Sequence, residues 1–599
     1  MKTKRAVRIA NCSGFYGDRM QAALDMVEGG PIDFLTGDYL AELTMLILWK
    51  SRLKDPRAGY ARTFLTQMEQ VLGTCMDRGI KVVSNAGGLN PSGLANDIRQ
   101  LAARLGLNPN VAYISGDDIA PEIPSLLEAG YDLENLDTKI SLKNSNIQAL
   151  TANAYLGGWG IVEALKNNAD VVITGRVTDA SLVVGPAAYW HGWERTDFNE
   201  LAGAVVAGHI IECGPQATGG NYPFIAEITD RRYPGFPIAE VASDGTAVIT
   251  KHPNTGGLVS VGTVTAQLLY EIAEPQYLNP DVIAHFDTID LKEIGTNQVA
   301  VSGTKGSAPT QDLKVAINYL GGFRNTMTMV LTGLDIQDKA QWAQDELFGI
   351  LGGKERFESV DIQLIRYDQM DAPSNELAIA HLRITIKDSD PGKVGRAFSG
   401  AIVELALGGY PGFHATSIPT SESAYGIYWP TLIPASLVSH EVVLSDGSRL
   451  PIPHTNQQDG TISHKAQKPT KSEPKISKVI SSKTHSIPLG RLFGARSGDK
   501  GGNANVGLWA RNDLAYEWLL ENLGIDTFKD LLTEAKDLEV RRFELPNLRA
   551  INFVVVGLLG EGVASSSRLD PQAKGLGEYI RSRHLGIPEQ LIPIEFIPK

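Results

Sequence analysis

Short apolar runs, each closed by a polar loop that carries glycine and several of them followed by helical periodicity, recur through the first third of the chain. Residues 6–10 precede the loop 13–18 and an amphipathic stretch from about 20 to 27. Residues 81–83 precede 84–93 and a helical pattern over about 94–105, residues 111–114 precede 115–118, and residues 171–173 precede 175–179. Strand, glycine-rich loop and helix in that order predict an α/β domain with a mainly parallel sheet. Ligands of such sheets bind outside the carboxyl ends of the strands, where all of these loops fall. From about 235 to 460 the pattern shifts to alternating strands, such as 247–250 and 362–367, which predicts a second subdomain with a break near 235.

Residues 466–478 are polar and contain proline, a composition that buries too little apolar surface to order itself. They divide the chain into a large domain at 1–465, a linker at 466–484 and a small domain at 485–599. The small domain carries strand patterns at 491–495 and 505–510, helices at 514–523 and 527–536, strands at 538–544 and 550–559, and a helix at 571–583. That order predicts an α+β sandwich and departs from the strand-helix-strand-strand-helix-strand order of a ferredoxin-like unit.

Composition narrows the class of function. The 599 residues are 43% hydrophobic and 21% charged, an ordinary globular balance long enough to bury large cores. A net charge of −13 argues against general nucleic-acid binding, which needs a basic face to displace counterions. Cys12, Cys75 and Cys213 are too few and too scattered for a disulfide framework or a zinc cluster, and suit a reducing cytoplasm. The basic start ends in an apolar run too short for a signal peptide, and no run approaches the roughly 18 apolar residues of a membrane span. A cytoplasmic homo-oligomer is the expectation, the latter from the prevalence of symmetric assemblies.

The densest chemistry lies in the loop from Arg496 to Leu508. Its glycines allow close backbone approach, Arg496 and Lys500 can meet a phosphate or carboxylate, and Ser497, Asp499, Asn503 and Asn505 can orient polar groups. The competing reading is a well-bonded turn that pins two strands. In the large domain, Arg176 and Asp179 follow an apolar strand and could face a pocket as a fixed cation and an acid or base, or pair with each other. Asn85 and Asn90 bracket Gly87 and Gly88, a loop able to hold an anion on exposed N–H groups or simply to turn the chain. Gly14 occupies the equivalent loop after the first strand. Asp117 and Asp118 could bind a hard cation such as magnesium, or cap a helix. Cys213 is a candidate nucleophile with His209 as helper, or a small buried hydrophobe. His252 with Asp244 and Asn254 forms a further candidate catalytic and binding cluster. No Rossmann, Walker, His-Glu-x-x-His or nucleophile-elbow spacing occurs, so no redox cofactor, nucleotide or zinc is expected.

The segment 494–505, Gly-Ala-Arg-Ser-Gly-Asp-Lys-Gly-Gly-Asn-Ala-Asn, closely resembles the C-terminal domain of the acyclic terpene utilisation (AtuA) family. Segments 13–18, 84–91, 174–180 and 212–220 resemble that family's large domain in the right order. The resemblance implies a ferredoxin-like fold for the small domain and a role in the catabolism of branched isoprenoid acids as acyl-CoA thioesters. The expected activity is that of a hydratase or lyase on a small-molecule thioester. The alternative is a non-catalytic subunit that binds a ligand or recruits other enzymes.

Overall fold

The computed structural model describes residues 4–145, 147–455 and 483–597, so most of the expected linker lies outside the described residues. These residues fall into two compact units, one drawn from Met1–Asn318, Tyr428–Val563 and Gln572–Lys599, the other from Tyr319–Ile427 and Ala564–Pro571. The change of pattern near 235 is thus not where the units part.

The first unit is organised on an eleven-stranded sheet. At its centre Val7–Asn11, Phe34–Gly37, Lys81–Ser84, Val171–Ile173 and Val111–Ser115 run parallel in that spatial order. Val7–Asn11 then pairs antiparallel with Pro237–Val241, which leads through Ala247–Lys251 and Gln298–Ser302 to Asp290–Gly295. On the other side Val111–Ser115 pairs antiparallel with Glu441–Val443, which pairs with Arg449–Pro451. The expectation of a mainly parallel sheet is therefore corrected to a mixed one with a parallel centre. The physical reason lies in connection length: tight turns such as 242–246 can join only antiparallel neighbours, whereas parallel ones need a crossover.

Helices supply those crossovers. Arg62–Arg78 and Pro91–Arg104 bury Phe64, Met68, Val71, Leu94 and Ile98 against the parallel strands. Pro91–Arg104 starts as its sequence dictates, with Pro91 at the first position and the Asn90 side chain accepting from Gly93 N at 2.9 Å. Phe198–Ile211 is buried along every residue from Leu201 to Ile211, as an apolar-all-round helix must be. Among the described residues no helix is long and apolar enough to cross a membrane.

Apart from Ala564–Pro571, the C-terminal residues belong to this first unit. They form a four-stranded antiparallel sheet in the order Phe493–Lys500, Asn503–Ala510, Ala550–Val555, Val540–Leu545. Helices Asp513–Asn522, Ile525–Leu531 and Leu576–Ser582 close its core, where Phe528 stacks on Phe553 with ring centres 4.2 Å apart. The second unit is a smaller antiparallel sheet built on Ser359–Arg366 and Ile379–Asp388, with the end of the long strand Asp312–Thr332. Helices Ile336–Leu351 and Arg396–Gly408 cover it through Leu347, Phe398 and Leu405.

Candidate active site

The carboxyl ends of the parallel strands converge on one buried polar centre. Asp38 follows the strand Phe34–Gly37 and is 5% exposed. Asn85, after the neighbouring strand, donates to Asp38 Oδ1 at 2.6 Å and accepts from Tyr39 N at 2.8 Å. Asn85 is thereby spent on fixing the adjacent strand-end loop. Gly87 lets that loop close on the next, because a Cβ there would lie 2.5 Å from the Thr174 carbonyl oxygen. Gly88 adopts φ 50°, and Asn90 caps the helix that follows.

Arg176 sits at the middle of this region. Its Nη1 donates to Asp179 Oδ1 at 2.7 Å and to Leu40 O at 3.0 Å, and its guanidinium lies 4.3 Å from the Tyr155 ring centre. Behind it, Arg176 N and Asn153 Nδ2 both donate to Asp117 Oδ2, at 2.8 and 2.9 Å. Burial pushes the Asp117 carboxyl up to about 7 despite these donors. Asp118 instead accepts from Ala120 N at 3.1 Å, the local turn use that competed with a cation site.

Facing the pair, Glu42 accepts from Tyr155 Oη at 3.1 Å and lies 3.9 Å from Lys314 Nζ. Lys314 in turn stands 4.9 and 5.6 Å from the ring centres of Tyr155 and Tyr428. Burial is the largest influence on Glu42 and works to raise it, but Lys314 and Arg176 prevail and hold it down at about 2. Burial raises Asp38, Asp179 and Glu212; the charge of Asp179 adds to this at Asp38 and Glu212, that of Glu42 adds to it at Asp179, and Arg176 pulls all three the other way. Desolvation is thus strong throughout, yet the side chains of Asp179, Glu42 and Lys314 are 30, 34 and 36% exposed. Groups so placed line a recessed, water-reached cleft, and do not belong to a dry core.

The C-terminal hairpin closes the cleft. Lys500 Nζ donates to the Glu271 carbonyl at 2.8 Å and lies 5.7 Å from the Tyr277 ring. Burial and then Lys314 push Lys500 down. Asp499 is pushed up to about 8, by burial first and then by Glu271 and Glu42. Arg496 donates to Gln216 and stacks 4.4 Å from the Tyr270 ring.

The hairpin's amides are used inward. Asn505 donates to Leu269 O at 2.7 Å and accepts from Glu271 N at 3.0 Å, while Asn552 donates to the carbonyls of Ile272 and Ala273. These two side chains and Lys500 grip a segment whose Glu271 holds φ 54°, an uncommon conformation for a residue with a Cβ. Asn503 donates to Asp137 at 2.9 Å and accepts from Gly557 N at 2.8 Å, and Ser497 accepts from Gly577 N at 2.8 Å. The hairpin therefore holds both cleft groups and a structural clamp.

Gly14 brings the first strand-end loop against Cys213, where a Cβ would lie 2.8 Å from the Cys213 carbonyl carbon. Burial, then Glu212, pushes the Cys213 thiol far up, which keeps it protonated and poorly nucleophilic. His209 turns Nδ1 to Glu212 Oε1 at 3.2 Å and is pushed down to about 4, by burial first and then Lys500. His252 Nε2 donates to Met26 O, 2.9 Å away, and is covered by Gly29 and Gly30. Asp244 bonds Thr246 N and Oγ1 within its own turn, and Asn254 adopts φ 62° in another. Among the described residues no hydrogen bond or ion pair joins His252, Asp244 or Asn254 to the Arg176 centre. Among the described residues no group of three or more His, Cys, Asp or Glu is placed to hold a metal ion.

Asp38, Glu42, Tyr155, Glu271, Lys314 and Tyr428 carry no motif that spacing reveals. Only Asp38 had a signal, as a charge directly after an apolar strand.

Residues 7–444 match the family described as acyclic terpene utilisation family protein AtuA, and residues 487–585 match the AtuA ferredoxin-like domain. No curated protein and no solved structure matches the chain.

Proposed function

The chain belongs to the acyclic terpene utilisation AtuA family, and from that premise we propose that its cleft adds or removes water, or cleaves a carbon–carbon bond, at an acyl-CoA thioester. The observation that carries this reading is the gathering of Asp179, Glu42 and Asp38 around Arg176, with the side chains of Asp179, Glu42 and Lys314 still reached by water. Acid–base catalysis is most efficient when the groups titrate near the working pH. Glu42, held at about 2, is too weak a base and serves to fix Lys314 and Tyr155. Asp179, raised by burial and steadied by Arg176, is the proposed base. Asp499, at about 8, keeps its proton at neutral pH and is the proposed acid.

In a dehydration, Asp179 would take the proton from the carbon beside the thioester carbonyl, and the electron pair would move onto the carbonyl oxygen. Arg176 and Lys500 supply positive charge for that enolate. Collapse of the enolate would then expel the hydroxyl group, which leaves as water with the proton of Asp499. Cys213 stays a neutral thiol lining the cleft, and no redox cofactor enters this scheme.

Mass-spectrometric turnover of the purified chain against branched and linear acyl-CoA thioesters, with and without magnesium, tests the reading. A change of one water in mass, or cleavage to smaller products, is expected. Unchanged thioesters together with binding of another pathway enzyme would replace the reading with that of an assembly subunit.

A further inference from the structure

The sheet of the second unit has two unlike faces. Met327, Met329, Leu382 and Ile384 fill the core beneath the helices, and the residues alternating with them point the other way. That other face is polar. Arg324 stands opposite Lys387, Thr326 opposite Thr385, and Thr328 opposite Arg383. Ser359, Asp361 and Gln363 extend the same three rows onto the next strand.

The cations of this face meet on one short segment of the same unit. Arg324 Nη1 donates to Ser566 O at 3.1 Å, Arg383 Nη1 to Ser567 O, and Lys387 Nζ to Ser565 O. The rows of Arg324 and Arg383 lie about 13 Å apart along the strands, so the two side chains lean toward each other to reach successive carbonyls. Like charges are brought together by this convergence: burial, and then Arg383, push the Arg324 guanidinium down. Among the described residues neither arginine has an ion pair. Asp361, the acid of the middle row, accepts from Ser567 Oγ at 2.7 Å and from Gln363 Nε2 at 2.8 Å instead.

A guanidinium carries five N–H donors, and a carbonyl takes one from each arginine. The remaining donors have no acceptor among the described residues and are not sealed from water, so they face solvent. Neutral carbonyls offset the repulsion among part-buried cations only in part, and an anion removes it. Two guanidinium forks converging beside an ammonium offer more charge and more donors than one planar carboxylate accepts. They match the many oxygens of linked phosphates, which arginine binds two at a time.

We infer that this polar face of the second unit binds a diphosphate group, carried by a nucleotide or by coenzyme A. The site lies wholly within Tyr319–Ile427 and Ala564–Pro571 and does not rest on the thioester reading of the cleft.

Calorimetric titration of the full chain with inorganic diphosphate, ADP, coenzyme A and sulfate is the test. Diphosphate should bind more tightly than sulfate, and Arg324→Ala and Arg383→Ala should each weaken it about 10- to 100-fold. Arg383→Lys, which keeps the charge but not the fork, should recover part of the affinity and serves if the alanine variants fail to fold. Coenzyme A binding above ADP supports the site with the coenzyme as the source of the diphosphate, and ADP at or above coenzyme A supports it with a free nucleotide. No binding of diphosphate, sulfate bound as tightly, wild-type affinity in both alanine variants, or a loss confined to Lys500→Ala in the cleft would overturn the inference. Diphosphate binding without turnover of any thioester leaves this site standing and removes the enzyme reading, whereas turnover without diphosphate binding does the reverse.

Discussion

The loop 174–179 and the hairpin 496–505 have similar inventories of arginine, acid, hydroxyl and glycine, yet they spend them differently. In the first, Arg176 and Asp179 bond each other and open on the cleft, while their backbone is anchored from behind by Asp117. In the second, Ser497, Asn503 and Asn505 turn back on the chain, Arg496 and Lys500 reach across to Gln216 and the Glu271 carbonyl, and Asp499 feels the charges of Glu271 and Glu42. A polar loop rich in glycine is thus two devices interleaved, and the destination of each hydrogen bond tells them apart. On a strand alternate side chains take opposite faces, so Arg496, Gly498 and Lys500 share one face and Ser497 and Asp499 take the other. Asp499 is the exception to a strict division by face, since it joins the cleft charges from the side that Ser497 uses for structure.

The largest effect should separate chemistry from folding. Asp179→Asn keeps the shape and a hydrogen bond to Arg176 but removes the base, and turnover should fall about 10²- to 10⁴-fold with little change in unfolding midpoint. Arg176→Ala should instead cost stability as well, because it takes the donor from the buried Leu40 carbonyl and the partner charge from the part-exposed Asp179, by about 1–3 kcal/mol. Denaturant titration beside turnover distinguishes the two. A parallel loss of stability in Asp179→Asn would make the pair structural.

The second effect tests the clamp. Asn505 is fully buried, and Asn505→Ala strands the Leu269 carbonyl and the Glu271 N–H. Each unmet group costs about 1–3 kcal/mol, so a loss of about 2–5 kcal/mol in denaturant titration is expected. Activity should fall with it, because Glu271 and Tyr270 lose their support. An unchanged midpoint would return Asn505 to the ligand-binding role that its loop suggested.

Much of the fold was legible because it rests on local signals. The strands at 81–84, 111–115 and 171–173 announce themselves as apolar runs before polar loops, and the C-terminal elements fall close to their expected order. Sheet direction was not legible at the flanks, since short alternating strands state their length and not their partner. The site was legible where charge follows a buried strand, as at Arg176 and Asp179. It was hidden at Glu42, Lys314 and Tyr155, which lie on three separate segments and meet only in the fold. His252, conspicuous in sequence among polar neighbours, is packed under Gly29 and Gly30 and bonded to a backbone carbonyl.

A third effect appears in the pH dependence of stability. Burial raises the folded Asp117 to about 7 from an ordinary value of 3.8. Between those limits the unfolded chain releases a proton that the folded chain retains, so this group's contribution is full below about 4 and is lost as pH rises toward 7. Asp117→Asn should flatten that part of the stability profile. A profile identical to wild type over the same window would show that the carboxyl is ionised in the folded chain.

The smallest effect is the control on the whole comparison. Asp244 bonds only within its turn, to Thr246 N at 3.1 Å and Thr246 Oγ1 at 2.7 Å, and its sequence neighbourhood is as polar as either loop. If the destination of hydrogen bonds, and not polar density, marks the reacting groups, Asp244→Ala should leave turnover unchanged and shift stability by no more than about 1 kcal/mol. A collapse of turnover in a variant with wild-type stability would mean that the 244–257 region reaches the substrate. The division drawn between cleft and clamp would then have to be redrawn around His252.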